Sequence, residues 1–207
     1  SCTERQNHTW TNNADYSYQE LSPKSSWFQD NIGFQKLNSE KTGITFSNFI
    51  SEEAIKRNRI LTNGSGVASG DYNNDGLIDI YFSKLEGPNE LYENLGDLKF
   101  KNVTEQAGVS LSGQYSTGVV FEDINGDDFL DLIVGSLDSG TKLLINNGDG
   151  TFNIDSTSLK VDNKIYGTSS IAIADIENDG DLDIYLTNYK KRSAKDIFPF
   201  ERAFRHI

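Results

Sequence analysis

A nine-residue acidic loop occurs three times in this chain at one fixed spacing. The copies are Asp71-Tyr72-Asn73-Asn74-Asp75-Gly76-Leu77-Ile78-Asp79, Asp123-Ile124-Asn125-Gly126-Asp127-Asp128-Phe129-Leu130-Asp131 and Asp175-Ile176-Glu177-Asn178-Asp179-Gly180-Asp181-Leu182-Asp183. Their first aspartates lie 52 residues apart both times. A strict period of this length marks stacked supersecondary units that bury a face only against their neighbours, so a repeat architecture is the first constraint on the fold. The second constraint is chemical: a recurring set of oxygen donors with no basic residue inside it calls for a hard cation.

Charge sharpens the chemical constraint. The chain carries 19 basic and 31 acidic side chains, a net charge of -12, and the loops alone hold three, four and five acids, twelve together. The whole excess therefore matches the content of the loops, each of which repels itself unless a cation neutralises it. A surface of this sign argues against nucleic acid or an anionic membrane face as a partner. No apolar run approaches the ~18 residues of a transmembrane helix.

Self-comparison at an offset of 52 aligns more than the loops: Leu91, Asn94, Gly96, Asp97 and Phe100 fall on Leu143, Asn146, Gly148, Asp149 and Phe152. Each unit reads as four short strands, at 66–72, 78–84, 89–95 and 99–104, then at 118–123, 130–136, 141–146 and 151–155. β-Branched and aromatic residues dominate these runs, and Gly, Asn, Asp and Pro separate them. Four antiparallel strands in about 50 residues is the size of one propeller blade, so the expected fold is all-β. A third unit supplies its first two strands around Asp175 to Asp183. Before the first unit, Phe34 to Leu37 and Gly43 to Phe46 resemble Phe100 to Val103 and Gly108-Val109, which predicts an outermost strand without a blade of its own.

In each loop, positions 1, 3 and 5 offer side-chain oxygens, position 7 a main-chain carbonyl and position 9 a carboxylate. The expected ligands are Asp71, Asn73, Asp75, the Leu77 carbonyl and Asp79, then Asp123, Asn125, Asp127, the Phe129 carbonyl and Asp131. In the third loop they are Asp175, Glu177, Asp179, the Asp181 carbonyl and Asp183. Three calcium ions are expected, because five or more protein oxygens in a flexible loop suit Ca2+ better than Mg2+, and zinc would want His or Cys. Gly76 and Gly180 at position 6 allow a left-handed turn, whereas Asp128 adopts one with some strain. An EF-hand is excluded at position 12, where Phe82, Val134 and Leu186 replace the bidentate glutamate in strand-like surroundings.

Four phrases together resemble FG-GAP or VCBS repeats: Gly66 to Gly76, Leu91-Tyr92-Glu93-Asn94, Phe100 to Val109 and Asn147 to Phe152. They are most similar to bacterial proteins of the cartilage-acidic-protein type that end in an ASPIC/UnbV region. The resemblance covers residues 34 to 188. It implies a seven-bladed propeller, as in the head of integrin α chains, with calcium bracing the loop between the first two strands of a blade. Asp128 in place of glycine and Glu177 in place of Asp or Asn are the departures.

The expected organisation is a polar lead-in at 1–33, propeller blades at 34–188 (one outer strand, two full blades and half of a third) and a basic segment at 189–207 that begins a missing remainder. Cys2, the sole cysteine, is read as the lipid-bearing residue of a bacterial lipoprotein on the outer membrane. Membrane contact is then expected only through that anchor. The only histidines, His8 and His206, lie outside the repeats, so no Ser-His-Asp or Cys-His site is available there. The chain is accordingly read as a non-enzymatic, calcium-stabilised extracellular scaffold that recognises glycan or protein. Two competing readings make it the propeller of a secreted polysaccharide-degrading enzyme, or an accessory subunit of an outer-membrane uptake or assembly complex.

Overall fold

Strand after strand pairs with its neighbour in sequence. The computed structural model describes residues 11–12, 17–18, 36–155 and 167–189. Two compact units are present, Ser1–Leu37 and Asn38–Ile207. Besides Lys36 and Leu37, the described part of the first is a short antiparallel pair, β1 (Thr11–Asn12) with β2 (Ser17–Tyr18).

The second unit begins with two short helices, α1 (Ser39–Thr42) and α2 (Glu52–Arg57), and a 3-10 turn at Arg59–Asn63. Two four-stranded antiparallel sheets follow in sequential order. The first contains β3 (Val67–Gly70), β4 (Asp79–Phe82), β5 (Glu90–Asn94) and β6 (Phe100–Asn102). A helical turn, α3 (Thr104–Ala107), leads to the second, made of β7 (Ser116–Glu122), β8 (Asp131–Ser136), β9 (Lys142–Asn146) and β10 (Phe152–Asp155). A third, two-stranded sheet pairs β11 (Gly167–Ala174) with β12 (Asp183–Tyr189). The all-β, blade-like architecture expected from the repeat is the one observed. Every blade strand predicted from the period is present, with ends shifted by a few residues.

Register repeats as well. Gly70 pairs with Asp79, Glu122 with Asp131 and Ala174 with Asp183, so each acidic loop is the connection between the first two strands of its sheet. A bulge interrupts β7–β8 between Ser116 and Val119, and another interrupts β11–β12 at the corresponding Thr168 to Ser170.

The main core lies between the two four-stranded sheets. Tyr81 and Leu91 from the first meet Phe121, Leu132 and Leu144 from the second. Tyr81 meets Phe121 edge-on at 6.4 Å between ring centres, and Tyr72 stacks on Phe152 at 5.9 Å. The Tyr81 hydroxyl donates to the Val109 carbonyl at 2.7 Å and accepts from Asn89 Nδ2 at 2.9 Å, which satisfies the only polar atom this ring brings inside. Near the first residues of the sheets the backbones approach closely. Gly66 N–H donates to the Thr117 carbonyl at 2.9 Å, and a Cβ on Gly66 would sit 2.8 Å from that oxygen. Among the described residues no helix is long and apolar enough to cross a membrane.

One expected element takes another form. Phe34 and Gln35 lie outside the described residues, and Lys36, Leu37 and Gly43 to Phe46 form no strand. Instead the Asn38 side chain accepts the Lys41 N–H at 3.0 Å and starts α1, which stops at Gly43 with φ 78°. α3 ends in the same way at Gly108, with φ 75°. What the two segments share is a short helical turn with a left-handed glycine stop; a paired strand, β6, precedes that turn in the second segment, while Lys36 and Leu37 form none in the first. Phe46 nonetheless packs on the first blade, stacked on Phe82 at 4.6 Å.

Candidate metal centre

Each acidic loop folds around its first aspartate. In the first, Asp71 accepts the N–H groups of Asp75 at 3.1 Å and Gly76 at 2.8 Å, one on each oxygen. In the second, Asp123 accepts from Gly126 and Asp127 on one oxygen and from Asp128 at 2.9 Å on the other. In the third, Asp175 accepts from Asp179 at 3.1 Å and Gly180 at 3.0 Å. Position 5 then takes the N–H of position 7: Leu77 to Asp75 at 2.8 Å, Phe129 to Asp127 at 2.9 Å and Asp181 to Asp179 at 3.0 Å. Asn73 and Asn125 at position 3 donate to the position-5 carboxylates at 3.1 and 2.9 Å.

Such wrapping requires two left-handed residues per loop. Position 6 is one, at Gly76 (φ 86°), Asp128 (φ 69°) and Gly180 (φ 96°). Asp128 therefore adopts the conformation the motif requires of glycine. The other is position 4, at Asn74 (φ 57°), Gly126 (φ 74°) and Asn178 (φ 58°), which the ligand-counting argument did not single out. Its signal was present, since Asn and Gly are the residues that tolerate this region best.

Position 9 differs in kind from the rest. Asp79 and Asp131 are fully buried. Asp79 accepts the Tyr72 N–H at 3.2 Å on Oδ2 and the Asn94 N–H at 2.7 Å on Oδ1. Asp131 repeats this with Ile124 at 3.2 Å and Asn146 at 2.8 Å. One carboxylate thereby fastens the start of its loop to the third strand of its blade. Asp183 holds the Ile176 N–H at 2.9 Å in the same way. Burial pushes the Asp79 carboxyl up to about 6; its two backbone donors pull against this, and the Asp75 and Asp71 charges add to it. Asp131 is raised by burial, with its backbone donors again opposing and Asp127 and Asp123 contributing.

The donor set of each loop is oxygen throughout, which fits a hard cation and not a soft one. Its carboxylates accept backbone bonds rather than converging on one point: among the described residues no three acidic, histidine or cysteine side chains form a cluster able to hold an ion by themselves. A cation would have to draw also on Asn73, Asn125 and the position-7 carbonyls. The mutual charge on Asp79, Asp75 and Asp71 is the feature of this structure that a cation would relieve. Cys2 lies outside the described residues.

Sequence comparison of the loops passed over a second feature. A cavity of about 300 Å3 opens where the first strands of the three sheets begin. Its wall includes Ser65-Gly66, Thr117-Gly118 and Ser169-Ser170, pairs that stand 52 residues apart. No charged side chain lines it. The triple of small and hydroxyl residues was visible in the repeat, but lacking charge it drew no chemical reading.

A family model for FG-GAP-like repeats matches residues 71–134 and 123–186, together more than half the chain. Among curated proteins, the chain is 27% identical to cartilage acidic protein 1 of Xenopus tropicalis over 158 residues, which is 75% of this chain and 24% of that protein. It is 29% identical to cartilage acidic protein 1 of Homo sapiens over 143 residues, 66% of this chain and 21% of that protein. The chain thus spans less than a quarter of the length of these relatives.

Proposed function

The chain belongs to the FG-GAP-like repeat family, and on that premise we propose that it is a non-enzymatic, calcium-stabilised extracellular scaffold that recognises glycan or protein. The observation that carries the calcium reading is the position-9 aspartate. Asp79 and Asp131 are buried as carboxylates beside two further acids of their own loops, an arrangement that costs free energy unless opposite charge is supplied. Calcium held by Asp71, Asn73, Asp75, the Leu77 carbonyl and Asp79 would supply it, as would calcium at the corresponding residues of the other two loops. There the ion contributes charge neutralisation. The protein contributes the rest: position 1 wraps the turn, and position 9 ties that turn to the sheet.

Several observations support a binding role over catalysis. The cavity between the sheets has serine and threonine but no acid or base in its wall. Both histidines, His8 and His206, lie outside the repeats in the sequence. The matched relatives bear the name cartilage acidic protein 1, which supports an extracellular setting. Attachment through a lipid on Cys2 belongs to the same proposal; the mass of the N-terminal peptide from the native host tests it, and an unmodified peptide would refute it.

Calorimetric titration of calcium chloride into chelator-treated protein tests the main claim. Saturable uptake is expected, together with a higher melting temperature in calcium than in EDTA. Asp75→Ala should remove one binding event and leave the others. Absence of uptake overturns the calcium reading, and turnover of a polysaccharide by the purified protein overturns the non-enzymatic one.

A further inference from the structure

Between the two buried aspartates runs a continuous chain of hydrogen bonds that crosses from one blade to the next. Asp79 Oδ2 accepts the N–H of Tyr72 at 3.2 Å. The carbonyl of that same Tyr72 accepts from Asn146 Nδ2 of the second blade at 2.8 Å, across 74 residues of sequence. The main-chain N–H of Asn146 in turn donates to Asp131 Oδ1 at 2.8 Å. The remaining capacity of the amide is also used: Nδ2 reaches the Leu130 carbonyl at 3.1 Å, and Oδ1 accepts the Gly148 N–H at 3.0 Å.

Asn146 is 2% exposed, so water cannot substitute for its bonds, and removing the side chain leaves buried polar groups without partners. A second link joins the loop tips, where Asn74 Nδ2 donates to the Asp128 carbonyl at 3.0 Å. Asn94 occupies the place of Asn146 in the first blade and keeps the bonds within its own unit: its N–H to Asp79, its Oδ1 to Gly96 N–H and its Nδ2 to the Ile78 carbonyl. The fully used donor set on Asn146 is what distinguishes the junction.

We propose that Asn146 is an inter-blade positioning residue that couples the first and second acidic loops, so that the order of one depends on the order of the other. This goes beyond the cation reading and does not depend on it, because every bond in the chain lies within the protein. It gives the row of blades a means of passing a local change along its loop-bearing end.

Hydrogen exchange of the full chain in EDTA tests the coupling. Asn146→Ala should speed exchange of the Asp75 and Gly76 amides by about fivefold or more, the effect of losing a hydrogen bond, although they belong to the other blade. Asn94→Ala, which loosens the first loop from within its own blade, should speed exchange there and, because the coupling is reciprocal, also at the Asp127 and Asp128 amides of the second loop. If Asn146→Ala does not fold, Asn74→Ala, at an exposed residue, carries the test through faster exchange at Asp128 and Phe129. Exchange that changes only in the loop of the substituted blade, for either variant, overturns the coupling. The same samples titrated with calcium chloride separate the two ideas, since absence of uptake refutes the cation reading and leaves the exchange result standing.

Discussion

Lowering the pH from 7 to 5 in EDTA should make this protein more stable, the reverse of what paired carboxylates usually do. The reason is Asp79, whose carboxyl is pushed up to about 6 by burial against an ordinary value near 3.8. A carboxyl with a folded-state pKa above its unfolded value binds a proton more tightly when folded. Its contribution to stability therefore grows as pH falls through 6 and levels off below about 4. Integrating between pH 7 and pH 5 for that single group gives about 1.3 kcal/mol, and Asp131, raised for the same cause, adds in the same direction. Urea unfolding at the two pH values reads the difference directly. Asp79→Asn is the control, because it abolishes the titration and should remove that share, about 1.3 kcal/mol of the gain, whatever it does to absolute stability. Saturating calcium should flatten or invert the slope, since a cation at the loop favours the charged form. The reasoning fails if wild-type protein in EDTA shows no gain, or if Asp79→Asn keeps the full pH dependence.

Two substitutions probe the backbone. Gly66→Ala places a methyl group 2.8 Å from the Thr117 carbonyl and 3.1 Å from the Val119 nitrogen, both main chain, so it should cost about 1–3 kcal/mol in urea unfolding; unchanged stability would mean that the first strands of adjacent sheets separate freely. Asp128→Gly relieves a non-glycine residue at φ 69° and removes one of four crowded acids, and should raise stability by about 0.5–1 kcal/mol, with a higher melting temperature in EDTA as the readout.

Much of the fold was legible because the repeat compares the chain with itself. The strand pattern of Ile78 to Phe82 recurs in Leu130 to Val134 and again in Leu182 to Leu186, and chance agreement at a fixed offset is rare. The role of position 9 was legible only in part. Counting oxygens treats Asp71 and Asp79 alike, whereas the fold buries Asp79 completely and gives it two backbone donors, one from the start of its loop and one from the third strand of its blade. Burial follows from where the second strand enters the sheet, and ligand spacing carries no information about that. Gly43 shows a related limit: like Gly108 it is a left-handed stop after a helical turn, and that likeness carries no information about whether the residues before the turn pair as a strand.

Contacts between blades obey a different arithmetic from the repeat, and that is why they escaped it. Self-alignment pairs Asn94 with Asn146 one period apart and Tyr81 with Tyr185 two periods apart, residues that hold the same place in their units. What a unit touches is the next unit's different place, as when Asn146 meets Tyr72 or Gly66 meets Thr117. Equivalent residues then diverge according to what covers them. Tyr81 is fully buried against Phe121, while Tyr185, two periods later at the same place in its strand, is 64% exposed. Leu130 is packed into the shared core beside Gly70, while the equivalent Ile78 is 55% exposed. A position in the repeat thus specifies pairing within a sheet, and the neighbouring blade specifies burial. The chemistry of each loop follows from both, since only the combination places a carboxylate out of water beside two others.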